Sequence, residues 1–261
     1  MKYGINLILK RIIMTKKIGN IKFNKLTIDS SIKRVSEIIE TSDYCQQIVV
    51  ANAYSVVLAH KNKKFAEVCE LADIAFADGI PVVWASKLLG DKIPERVAGP
   101  DFMWSFSKVC SDKNYKVFLM GSEEPFLSKL KQNLENHFPG IDIVGVYSPP
   151  YGEWSDKENK KIVSIINKSN ADILWVGVSS PKQDIWISRN KKILECKVAI
   201  GVGAAFDFHS GRVERAPIWV QKLGFEWLFR FTQDPRRLWK RYIIGNLQFI
   251  IIIIKEFFKV K

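Results

Sequence analysis

The sequence is poor in the residues that most often announce a chemistry. It carries three histidines, His60, His137 and His209, far apart from one another, and four cysteines, Cys45, Cys69, Cys110 and Cys196, none at metal-ligand spacing. This argues against a Cys/His metal module and a disulfide framework. The expectation is no required metal, and reduced, mostly buried thiols of the kind a cytoplasmic protein carries. Neither a G-x-G-x-x-G fingerprint nor a P-loop occurs, so both common glycine-rich phosphate cradles are missing and no cofactor is expected. Long apolar runs are missing too. As a helix, Ile243 to Ile254 would reach about 18 Å against a bilayer core of about 30 Å, so it can dip into one leaflet but not span. At the other end, MKYGINLILKRIIM is broken by Lys10 and Arg11, and no small-residue cleavage site follows. It reads as a short amphipathic surface helix or an upstream extension, not as a secretory signal. Acidic residues are scarce: 27 Asp and Glu stand against 40 Lys and Arg, a formal charge of +13. Such a charge favours an anionic partner, whether nucleic acid, phosphorylated substrate or acidic lipid headgroups.

What the chain does have is a core. Hydrophobic residues make up 47% of 261 residues, which excludes global disorder and suits one large α/β domain with an appendage. Short apolar strands alternate with helical patterns: Gln47–Ala51, Ile74–Ala77, Lys116–Met120, Asp142–Val146, Ile173–Val178 and Lys197–Val202. They are apolar on both faces, the pattern of a parallel sheet covered by helices on both sides. Between them, Asp29, Ser30 and Ser31 are N-cap candidates for a first helix. A single helix is expected from about Ala53 to Cys69, and Ser155 with Glu158 has the capping-box spacing. Three regions result: an N-terminal extension 1–16, an α/β core 17–210, and an appendage 211–261.

In open α/β sheets ligands bind beyond the carboxyl ends of the strands. That singles out Asn52, Asp78-Gly79, Gly121-Ser122, Ser179 to Asp184 and Gly203 to Asp207. Asp78 has two readings there, a general base or a turn aspartate capping the next helix. Ser122 reads more readily as a helix N-cap than as part of a phosphate site, because Glu123 and Glu124 would repel a phosphate.

The charge is concentrated at the end of the chain, where 11 Lys and Arg face 4 Asp and Glu from Gly211 to Lys261. Trp219, Trp227, Trp239 and Tyr242 are interleaved there with Arg230, Arg236, Arg237, Lys240 and Arg241. Aromatic and basic residues mixed on amphipathic helices suit a membrane interface. A helix packed on the core would also use the Ile-rich run. A nucleic-acid interface would not, so no nucleic acid is expected.

These residues also occur in a familiar order. Asn52-Ala53, Ala77-Asp78-Gly79, Arg96 to Asp101, Ser180-Pro181-Lys182-Gln183-Asp184, Gly201-Val202-Gly203, Arg215-Ala216-Pro217, Glu226 to Arg230, Pro235-Arg236-Arg237 and Arg241-Tyr242 together resemble the WecG/TagA/CpsF family, glycosyltransferase family 26. The resemblance covers roughly Lys17 to Tyr242. It implies a Rossmann-like α/β fold with a C-terminal helical membrane-binding appendage. It also implies an inverting, metal-free transfer of N-acetylmannosamine or a related hexose. The donor would be a UDP-sugar and the acceptor an undecaprenyl-diphosphate-linked sugar, in teichoic acid, enterobacterial common antigen, capsule or exopolysaccharide synthesis. The absence of any Asp-x-Asp agrees with a reaction that needs no metal. By this likeness Asp78 is the general base, Asn52, Arg96 and Gln183 contact donor or acceptor, and Arg230, Arg237, Lys240 and Arg241 meet the diphosphates. Val50 stands where many members carry a threonine, Asp184 where a glutamate is commoner, and Lys240 where an arginine is frequent. The implied setting is cytoplasmic, peripheral to the inner face of the membrane and its anionic lipids, with a homo-oligomer compatible. The competing reading is a non-catalytic membrane partner of another glycosyltransferase, which would have no use for Asp78, Arg96 and Gln183.

Overall fold

The computed structural model describes residues 14–260; the reading of the first segment as a surface helix lies outside the described residues. The described part opens with a hairpin the hydrophobic pattern did not reveal. Strands β1 (Thr15–Ile18) and β2 (Ile21–Asn24) pair antiparallel, and β1 takes in the last two residues of the segment assigned to the extension. Ile18, Ile21 and Phe23 are fully buried.

The main sheet has six parallel strands: β3 (Gln46–Ala51), β4 (Ile74–Ala77), β5 (Lys116–Gly121), β6 (Asp142–Tyr147), β7 (Ile173–Gly177) and β8 (Val198–Gly201), in the order β4-β3-β8-β7-β5-β6. The helices that follow β3 and β7 cover one face of the sheet, whereas the chain leaving β8 turns to the other with Ala205 and Phe206, so the crevice at the carboxyl ends of β3, β8 and β7 is a topological switch point.

Successive side chains on a strand face opposite ways, and both faces are covered. Ile48, Ile173 and Trp175 join one core with α1 (Ile28–Thr41), α5 (Gly99–Lys113) and α6 (Phe126–His137). Their neighbours face the other side. Val49 packs with α2 (Ala53–Lys61), α3 (Lys63–Leu71) and α4 (Ile80–Leu88), whereas Leu174 and Val176 pack with α7 (Asp156–Lys168) and α8 (Lys182–Asn190). All four cysteines are free and buried.

The helix expected from Ala53 to Cys69 is two. Asn62 ends α2, and its side chain accepts from the Phe65 amide at 3.0 Å to cap α3; an asparagine that bonds its own downstream backbone starts a new helix more readily than it continues one. The first helix is capped by Thr27 in a box with Ser30, not by Asp29, Ser30 or Ser31. Ser155 does cap α7, but the Glu158 carboxylate accepts from the Tyr147 hydroxyl instead of closing the box. Ser122 caps nothing: α6 begins four residues later, at Phe126.

After β8 come α9 (Ala205–His209), α10 (Ile218–Lys222), α11 (Glu226–Gln233), α12 (Pro235–Trp239), a π-helical turn (Lys240–Ile244) and α13 (Gly245–Val260). The Ile-rich run serves two surfaces. Phe249, Ile252 and Ile253 are buried with the hairpin and α2, whereas Leu247, Ile250, Ile251 and Ile254 stay exposed. Spacing of three and four residues puts each set on one side of α13. Two polar contacts fasten the buried side, from the Gly19 amide to Glu256 and from the Lys61 ammonium to Gln248. Among the described residues no helix is long and apolar enough to cross a membrane.

Candidate active site

A cleft of about 780 Å³ opens at the switch point, within the usual range of roughly 300–1,000 Å³ for ligand sites. Its floor is made of strand ends and its far wall of the C-terminal segment. Asn52, Asp78, Arg96, Gln183, Arg230, Arg237 and Arg241 all line it. Residues 150 apart or more in sequence are thus brought to one cavity. Lys240 does not join them: it is exposed, with its ammonium 5.6 Å from the Trp239 ring centre.

Asp78 follows β4 and is half-buried at the base of the cleft. Its amide donates to the Ala51 carbonyl at 2.8 Å, which fixes it beside β3. Its carboxylate has no hydrogen bond or ion pair among the described residues. It does not cap α4, whose N-cap, Gly79, makes no side-chain bond. Burial first, and the Glu226 carboxylate second, push its pKa up to about 6 from 3.8. Asp101 adds to this, and the Arg96 and Arg215 guanidiniums oppose it. A carboxylate that is unpartnered, reachable and poised near neutrality can take a proton from a hydroxyl.

Asn52 caps α2. Its Oδ1 accepts from the Ser55 amide at 3.2 Å, so the cap holds the side chain still at the cleft edge. Gln183 lies in the first turn of α8, 2% exposed, and its Oε1 accepts from the Gly203 amide at 3.1 Å, tying α8 to the end of β8. Gly201 makes room for this. A Cβ there would lie 2.6 Å from Gln183 Nε2 and 2.7 Å from Asp184 Oδ1. Both oxygens of Asp184 are buried without a hydrogen-bond partner. Burial pushes its pKa up to about 7, and the dipoles of Ser180 and Gln183 only partly offset this.

The wall is cationic. Arg230 stacks its guanidinium 5.0 Å from the Phe208 ring centre, and Arg241 sits 5.1 Å from that of Tyr54, its Nε buried without a partner. Among the described residues the Arg237 side chain is bound only to Asp234, three residues back, and is largely exposed. Arg96 is more engaged than a substrate contact need be, since its guanidinium is bonded to Asp101, Glu226 and Gln221. Guanidiniums placed beside a cleft in this way are chemically suited to meet negative charge that develops there.

Sequence reasoning gave no role to Lys182, Arg212 or the 149–154 loop, all of which also line the cleft. Lys182 donates to the Gly152 carbonyl and lies 3.8 Å from the Trp154 ring centre, pinning that loop to α8. Arg212 pairs with Asp207 at 3.8 Å and Glu123 at 3.5 Å. The turn-rich composition of the loop was visible, but nothing in it says which helix it closes on. Ser122 and Ser179, at the ends of β5 and β7, have φ of 59° and 66°. This left-handed backbone is uncommon for serine and is found most often where a site requires it.

The profile of the glycosyl transferase WecG/TagA/CpsF family matches residues 16–261. An N-acetylglucosaminyldiphosphoundecaprenol N-acetyl-beta-D-mannosaminyltransferase of Bacillus spizizenii (strain ATCC 23059 / NRRL B-14472 / W23) is 30% identical over 233 residues, 88% of this chain and 87% of that one. Proteins of the same name from Bacillus subtilis (strain 168) and Staphylococcus aureus (strain MW2) are 27% and 31% identical, covering 93% and 82% of this chain and 92% and 80% of theirs. With its switch-point cleft, its unpartnered carboxylate and a match over nearly its whole length, the chain belongs to the WecG/TagA/CpsF family of glycosyltransferases.

Proposed function

We propose that this glycosyltransferase moves N-acetylmannosamine from a UDP donor onto an undecaprenyl-diphosphate-linked N-acetylglucosamine, at the inner face of the cell membrane. The donor and acceptor sugars follow the names of the relatives. The observation that carries the chemistry is the Asp78 carboxylate, unpartnered at the base of a cleft whose opposite wall is guanidinium.

Asp78 takes the proton of the acceptor hydroxyl. The oxygen attacks the anomeric carbon, the bond from that carbon to the UDP oxygen breaks on the opposite face, and the configuration inverts. UDP leaves with the electron pair, and Arg230, Arg237 and Arg241 are the groups suited to meet its charge. Asn52 and Gln183, each held by a backbone bond, orient the sugars.

A peripheral membrane position is supported by the exposed side of α13 together with Trp219, 66% exposed, Leu223, 53% exposed, and Trp239, 45% exposed. Arg236 and Lys240 stand near Trp239 in sequence. Apolar anchors with adjacent cations bind anionic headgroups while the catalytic core stays in water. A lipid-linked acceptor would then be met where it resides.

The test is UDP release from a panel of UDP-sugars with a short-chain lipid-diphosphate N-acetylglucosamine acceptor. Acceptor-dependent release from the N-acetylmannosamine donor, lost in Asp78→Asn, is expected. Release from a different donor would correct the sugar. No release from any donor by folded protein would favour the non-catalytic partner.

A further inference from the structure

Gln183 and Asp184 are neighbours in the first turn of α8. Successive side chains on a helix point about 100° apart and do not ordinarily meet. Here they converge. A Cβ on Gly201 would lie 2.6 Å from Gln183 Nε2 and 2.7 Å from Asp184 Oδ1, so both side chains close on one spot of bare backbone at the end of β8. Both are buried.

A second buried amide lies behind them. Gln47, on β3, donates through Nε2 to the Asp184 carbonyl at 2.8 Å and so holds the first turn of α8 against the sheet. Three side-chain oxygens are left over. Both of Asp184 and Oε1 of Gln47 are buried without a hydrogen-bond partner among the described residues. Buried acceptors in this state are rare and costly, so packing alone gives no reason for a carboxyl at position 184.

The amide next door supplies a reason. Gln183 Oε1 accepts from the Gly203 amide at 3.1 Å, and Nε2 is the end turned to the spot where Asp184 Oδ1 arrives. Turned over, the amide would set Nε2 against the Gly203 N–H, donor to donor, and Oε1 against the Asp184 oxygen, acceptor to acceptor. Charged or protonated, Asp184 keeps an acceptor oxygen for Nε2. Gly203 therefore specifies one end of the amide and Asp184 the other.

We propose that Asp184 is a positioning residue that fixes the Gln183 side-chain amide, with Oε1 on the Gly203 amide and Nε2 kept as the donor. Gln183 lines the cleft, and Nε2 is its one side-chain atom with protons to give to a substrate oxygen. The consequence for transfer rests on the reading of Gln183 as a substrate contact; the orientation itself does not. Gly201 belongs to the arrangement, because a side chain there would part the two groups.

The experiment uses the full chain with Asp184→Val, which is apolar and similar in size, and Asp184→Asn, which keeps the shape and an acceptor oxygen. Hydrogen exchange of the Gly203 amide is followed by NMR, and kcat and KM for UDP release are recorded beside it. The other acceptor of that amide among the described residues, the Val176 carbonyl, is 3.4 Å away, whereas the Val202 amide bonds to the same carbonyl at 2.9 Å and serves as the local control. In Asp184→Val, exchange at Gly203 is expected to quicken on the order of 10-fold, the loss of one hydrogen bond, with Val202 unchanged and kcat/KM reduced by a similar factor. Asp184→Asn should restore both. A carboxyl with a merely structural role would give neither the confinement to Gly203 nor the rescue. Asp184→Ala carries the test if the valine variant does not fold. Unchanged Gly203 exchange in a folded apolar variant overturns the proposal, as does exchange that asparagine fails to restore. Quickened exchange with undiminished transfer supports the positioning and removes Gln183 from the substrate contacts. In a chain that transfers no sugar, the exchange result still decides the proposal, and the proposed function falls separately.

Discussion

Asp78→Asn should abolish transfer and yet stabilise the protein. The native carboxyl titrates at about 6 and its ordinary value is 3.8. At about 1.36 kcal/mol per unit this difference corresponds to about 3 kcal/mol. Because the side chain borders an open cleft, water screens part of that, and about 1–3 kcal/mol is the working range. The sign follows from linkage. The folded pKa is raised, so protonation favours the native state, and stability is lost as pH rises from the unfolded value through the folded one. Above about pH 6 the native protein bears the whole cost of a buried charge, and asparagine removes it. Near pH 4 the native carboxyl is protonated and the unfolded one about half so, and most of the advantage should be gone. Urea unfolding of wild type and variant at pH 7.5 and pH 4 measures this directly, alongside UDP release. A variant no more stable than wild type at pH 7.5 would mean that the carboxylate is not held at a cost. Transfer surviving in the variant would mean that it is not the base.

Other outcomes are expected from the same geometry. The rate should rise with pH through about 6, as the base loses its proton, and a pH profile of UDP release reads this. Arg237→Ala removes an exposed side chain that among the described residues bonds only to Asp234, so unfolding should change by less than about 0.5 kcal/mol. Turnover should fall on the order of 100-fold if the guanidinium meets the diphosphate; normal turnover would remove it from that role. Gly201→Ala forces a methyl against the Gln183 and Asp184 side chains and should cost about 1–3 kcal/mol in denaturant unfolding. Serine at Leu247, Ile250, Ile251 and Ile254 should release the protein from anionic liposomes with little loss of stability, and unchanged sedimentation would defeat the membrane assignment. Phe249→Ala, on the buried side of the same helix, should instead cost about 3–5 kcal/mol. Deleting α13 outright would mix the two effects.

The parallel sheet was legible because burial on both faces leaves a strand almost no polar positions. Ile173-Leu174-Trp175-Val176 can hardly be anything else, and once the strands are known, the binding of ligands beyond the carboxyl ends of strands in open α/β sheets puts Asn52, Asp78 and Gln183 at one edge. The hairpin was not legible. Thr15–Ile18 and Ile21–Asn24 are four residues each, and Lys16, Lys17 and Lys22 make them look like a basic surface segment. Their burial comes from α13, more than two hundred residues away, and from α2, about thirty residues away, which close over Ile18, Ile21 and Phe23. Local pattern cannot report a partner that distant.

The C-terminal segment separates what composition can and cannot tell. Basic and aromatic residues suggest an interface, but composition is blind to which side of a helix is occupied. Tertiary packing assigns Phe249, Ile252 and Ile253 to the core and leaves their neighbours open, so one Ile-rich run serves two surfaces. The arginines divide in the same way. Arg96 and Arg215 read in sequence like Arg230 and Arg241, yet the first two are consumed by Asp101 and Glu226 whereas the last two lie on aromatic rings beside the cleft. What distinguishes a structural guanidinium from one free to meet a diphosphate is the presence of a carboxylate in space. Asp101 and Glu226 are about as far from Arg215 in sequence as 114 and 11 residues, so only the folded chain could make that distinction.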